Sequence, residues 1–66
     1  MRVYRINAVG GEGRLLVLGT ADTAAKALAH LEKAFADYPR AWVTDEHDHD
    51  VSWAELMRAA EEERDA

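Results

Sequence analysis

A chain of 66 residues without a single cysteine has no disulfide to hold it together, and that limits its architecture more than any motif it carries. At this size folding buries only about 60% of the surface that the unfolded chain exposes. Good helix packing, a bound ion or a partner subunit must supply the missing stability, and association with a second copy asks least of the sequence. With 48% apolar residues the chain can still build a core, so disorder of the whole chain is excluded. Residues 1–66 read as one domain.

The order of elements follows from periodicity. From Arg2 to Val9, Tyr4 and Ile6 alternate with Arg5 and Asn7, as in a strand with one wetter face. Gly10-Gly11-Glu12-Gly13 then supplies the backbone freedom of a hairpin turn. A phosphate cradle would need a helix to begin there, whereas Arg14 to Leu18 reads as a second strand. Thr20 is placed to cap a first helix over 21–37, with Ala24, Ala27, Leu28, Leu31, Ala34 and Phe35 on one apolar stripe. Tyr38-Pro39 ends it, because the residue before proline is pushed out of helical geometry. Arg40 to Thr44 forms a short third strand.

Ser52 and Glu55 form a capping box for the last helix, with Val51 and Leu56 positioned as a hydrophobic staple. Trp53, Leu56, Met57 and Ala60 make its apolar stripe, so Trp53→Ala is expected to cost about 3–5 kcal/mol as a core truncation. Glu61, Glu62 and Glu63 oppose the helix dipole, which predicts fraying over 61–66.

These elements predict an α+β two-layer sandwich in the order β-β-α-β-α, a three-stranded sheet with both helices side by side on one face. Two sheet orders remain, with the first strand in the middle or the second strand there beside a parallel neighbour, and the first order is favoured because the first strand is the longest. That leaves Leu15-Leu16-Val17-Leu18 on an edge with no charge inside it to block pairing.

The formal charge of -5, from 13 acidic and 8 basic side chains, repels nucleic acid and anionic lipid at long range. Neither is an expected partner. The first residues lack the apolar run of a signal peptide and no segment reaches the ~20 apolar residues of a membrane span, so the expected compartment is the cytoplasm.

Chemistry-bearing residues concentrate in Asp45-Glu46-His47-Asp48-His49-Asp50, six ionisable side chains in a row. His47, His49 and Asp45 are the candidate ligands for zinc or nickel, but two imidazoles on alternate residues of a loop leave the set short of a third well-placed donor. A calcium loop starting at Asp45 would put Asp50 where glycine is needed and Leu56 where glutamate is needed. As a turn the segment makes good sense, because aspartates close loops through their own side chains. Its two histidines also permit a pH-responsive loop. His30 reads as a surface residue and Ser52 as a cap, so no catalytic residue and no cofactor is expected.

Trp42 and Trp53 are candidate interaction residues, because a thin domain has little core in which to hide large aromatics. Leu16 and Leu18 join them as the apolar edge of the second strand.

The junction Gly19-Thr20-Ala21-Asp22-Thr23-Ala24-Ala25-Lys26-Ala27-Leu28 resembles that of small bacterial proteins with a β-β-α-β core, including the partial ribonuclease-H-like domain of HicB-type antitoxins. The turn from Thr44-Asp45 to Val51-Ser52 is similar to one in small uncharacterised bacterial or phage-borne β-β-α-β-α proteins. The resemblance implies the fold and an antitoxin-like regulatory role as one alternative. From the residues themselves the leading expectation is a non-enzymatic, homodimeric interaction module with a further protein partner. The alternative is a metal- or pH-responsive regulatory protein working through His47 and His49.

Overall fold

The computed structural model describes residues 2–65. Along the chain come β1 (Tyr4–Val9), β2 (Leu15–Ala21), α1 (Ala24–Asp37), β3 (Arg40–Thr44), β4 (Asp50–Val51) and α2 (Trp53–Asp65). The fold is α+β, and its antiparallel sheet has four strands in the order β2-β1-β3-β4 rather than three. The additional strand is two residues of the expected loop, where Val51 pairs with Val43 and Asp50 with Thr44. β1 is central to the three expected strands, pairing antiparallel with both β2 and β3. β2 and β3 therefore run parallel to each other across it, joined by α1.

One sheet face is buried under the helices. Tyr4, Ile6, Ala21 and Val43 meet Ala24, Ala27, Leu31 and Ala34 of α1 and Leu56 and Ala60 of α2. Ile6, Val43 and Leu56 are the largest fully buried side chains, with Tyr4 and Leu31 each 3% exposed beside them, and burial of these side chains supplies apolar stabilisation.

Local boundaries differ from the sequence reading. β2 continues to Ala21, whose pairing with Tyr4 buries it in the core, and this moves the helix cap from Thr20 to Thr23. The Thr23 hydroxyl accepts the Lys26 N–H at 3.1 Å, while Asp22 and Lys26 form an exposed ion pair. β1 starts at Tyr4 rather than Arg2.

α2 begins as expected, with the Ser52 hydroxyl accepting the Glu55 N–H at 3.1 Å and Val51 packed on the core beside buried Leu56. The helix extends to Asp65, and Glu63 near its end is tied to α1. That carboxylate accepts the Ala24 N–H at 2.7 Å and the Ala25 N–H at 3.3 Å, setting a negative charge against the positive end of the α1 dipole. The C-terminal end of α2 thus meets the N-terminal end of α1, and Trp53 meets Phe35 at the opposite ends. The two helices are antiparallel neighbours on one face.

The expected burial of Trp53 is corrected here. Trp53 is 40% exposed and Met57 47%, because Leu56 and Ala60 already fill the space between the helices and the sheet. Truncation of Trp53 removes an aromatic contact with Phe35 rather than a plug of the core.

Candidate functional site

The sheet face without helices is built by alternation. Residues directly opposite one another share a face, and the pairs Arg5 with Thr44, Asn7 with Val17 and Trp42, and Val9 with Leu15 and Arg40 all point away from α1 and α2. The face holds an apolar centre of Val9, Leu15, Val17 and Trp42. Leu15 is 73% exposed and Val17 63%, while Val9 and Trp42 are half-buried.

The buried polar groups in this face, Asn7 and Thr44, are paired with each other. The Asn7 side-chain amide donates to the Thr44 hydroxyl at 3.1 Å and to the Arg5 carbonyl at 3.2 Å, and no buried side-chain nitrogen or oxygen among the described residues lacks a partner. The buried centre of the face therefore carries no unpaired group to oppose contact.

Of the residues singled out in the sequence, Trp42 lies in this face. Leu16 and Leu18 do not, because Leu16 pairs with Ala8 and Leu18 packs against the core. Their positions are taken on the open side by Leu15 and Val17. The alternation from Tyr4 and Ile6 could have assigned the sides, but the register shift between Ile6 and Asn7 hides the phase of β2. Gly19 sits opposite Ile6 and Val17 opposite Asn7, so Leu18 is the extra residue of a β-bulge.

Trp53 belongs to a second apolar surface on the helix side. Its ring centroid lies 6.2 Å from that of Phe35, and Phe35 is 52% exposed. With Met57 they form a short ridge at the junction of the C-terminal end of α1 and the first turns of α2.

The histidine segment is the β3–β4 hairpin. Asp48 N–H donates to the Asp45 carbonyl at 3.1 Å and Asp45 N–H to the His49 carbonyl at 3.0 Å, with Asp48 at φ 63°. The Gly10–Arg14 turn has the same construction, with Gly13 at φ 75° and matching bonds of 3.0 and 2.8 Å. The Asp45 carboxylate accepts the N–H groups of His47 at 2.8 Å and His49 at 2.9 Å. These bonds, that from His49 foremost, hold its carboxyl below the usual carboxylate range. Asp45 is committed to closing the turn. Both histidine side chains are solvent-facing with ring centroids 6.1 Å apart, and no group of three or more potential metal ligands converges among the described residues.

A shallow cleft of about 280 Å³ lies between the start of β1, the hairpin and α2, with Arg2, Glu46 and Glu55 around Tyr4, Val51 and Ala59. Backbone N–H groups, including that of Val3, hold the Glu46 carboxyl below its ordinary range. Glu46 is therefore ionised near neutral pH, an acceptor rather than a general acid. The cleft offers no pairing of nucleophile with base. No helix among the described residues is long and apolar enough to cross a membrane.

The chain matches no family model, no curated protein sequence and no solved structure.

Proposed function

We propose that this protein is a non-enzymatic protein–protein interaction module that works as a homodimer. The observation that carries the reading is the open sheet face, where Leu15 and Val17 stand 73% and 63% exposed beside Trp42 and Val9, with the intervening Asn7 amide internally paired. Water-exposed apolar surface of this kind, joined to a small core, favours association. The Phe35–Trp53–Met57 ridge lies on the opposite layer, so a module paired through its sheet keeps an aromatic surface for another protein. Sedimentation equilibrium at low micromolar concentration tests the reading. The expected mass is that of two chains, and a clean monomer of 7.4 kDa would remove the proposal's main support.

A further inference from the structure

Taking the homodimer reading as its premise, the geometry points to a particular contact: we propose that the helix-free sheet faces of two copies pack on each other about a two-fold axis, with Arg40 of each copy against Asp50 of the other.

Three observations lead there. The sheet edges are poor templates, because β2 carries the bulge at Leu18 and β4 has only two residues. A bulge breaks the regular ladder that edge-to-edge pairing requires, and very short edge strands offer little to pair with. The open face, by contrast, presents exposed side chains with no helix above them.

The charges on that face are arranged for a second copy. Arg40 lies at the end shared by Val9 and Leu15, near the turn that contains Arg14. Asp50 lies at the other end, opposite Thr44, close to the hairpin that holds Asp48. Four residues of extended chain separate the two ends by about 13 Å, too far for direct pairing within one chain. Arg5 is already engaged by Asp48 at 3.2 Å, whereas neither Arg40 nor Asp50 enters an ion pair among the described residues.

A two-fold axis lying between the two faces and running across the strands, at the level of Asn7, Trp42 and Val17, exchanges the ends. Each Arg40 then meets one Asp50 of the other copy, so the pair is made twice, while Val17 meets its own counterpart and Trp42 its own across the axis. An isologous contact needs just this self-complementarity. Opposite charges at the rim set its register, and the apolar centre supplies the affinity.

The test is a charge exchange followed by sedimentation. Arg40→Asp and Asp50→Arg should each weaken dimerisation about tenfold or more, and the double variant should return to within a few-fold of the parent, because it re-creates the pair with reversed sign. Val17→Lys should give a monomer with an unchanged far-ultraviolet circular dichroism spectrum. Single exchanges that leave the dimer intact, or a double variant that stays as weak as its parents, would overturn the assignment of the face. A parent that is a dimer insensitive to all four substituted chains keeps the homodimer reading and shifts the contact to the Phe35–Trp53–Met57 ridge. A parent that is monomeric at 100-fold higher concentration than the first measurement removes both.

Discussion

At the scale of single residues, the hairpins at Gly10–Arg14 and Asp45–His49 solve the same problem with different side chains. Each needs one residue in the left-handed region, which Gly13 enters freely and Asp48 enters at φ 63° against the crowding of its Cβ. Aspartate tolerates this position better than most residues, yet it is still disfavoured relative to glycine. The exposed Arg5–Asp48 ion pair returns little, since surface pairs contribute about 0–1 kcal/mol. Asp48→Gly should therefore raise stability, by about 0.5–1 kcal/mol after the entropy of glycine is set against the relieved crowding. Urea denaturation reads the shift in midpoint, and a loss of more than that amount would mean the Arg5 contact outweighs the backbone. The same hairpin explains why the densest charge run in the chain builds a turn: Asp45 spends both of its close acceptor contacts on the amides of His47 and His49.

At the scale of elements, the contact that most changes the picture joins the end of one helix to the start of the other. Glu63 caps Ala24 and Ala25 from α2, replacing the first-turn acidic residues that α1 lacks. Glu63→Ala should cost about 0.5–2 kcal/mol, the range for losing an N-terminal cap, while Glu62→Ala on the same turn should be nearly neutral. Equal effects of the two in thermal unfolding would show that the α2 terminus is not docked. This contact also marks where the sequence stopped being legible. The helices, the three longer strands and the Ser52 cap follow from periodicity and local capping chemistry, which are properties of short windows, whereas only its length favours the central place of β1. Glu63 and Ala24 are distant in sequence, so a short window shows three glutamates opposing a helix dipole and not the amides that the antiparallel packing brings to one of them. β4 escaped for the same reason, because Asp50-Val51 becomes a strand only through Val43 and Thr44. Trp53 failed differently. Leu56 and Ala60 of its stripe are buried while Trp53 and Met57 are not, because a stripe does not say how deep the groove is, and Leu56 takes the depth.

At the scale of the whole molecule, the shape decides how stability is obtained. With principal extents of 41 × 23 × 16 Å the chain is a thin plate, and its fully buried large side chains are Ile6, Val43 and Leu56. Half of the sheet's surface faces outward carrying Leu15, Val17, Val9 and Trp42, apolar area that contributes nothing to folding until something covers it. If a second copy covers it, unfolding and dissociation are one equilibrium, and the melting temperature must depend on protein concentration. Each tenfold increase in concentration adds about 1.4 kcal/mol to the dimer. Against an unfolding entropy near 2.1 cal/mol/K per residue taken over both chains, that is a rise of about 5 °C. Scanning calorimetry at concentrations spanning two decades should thus move the transition by about 10 °C for the parent chain, while Val17→Lys, melting lower, should show a transition that stays put. A parent transition equally indifferent to concentration would mean that the plate is stable alone, and the open face would then have to be held for a partner other than itself.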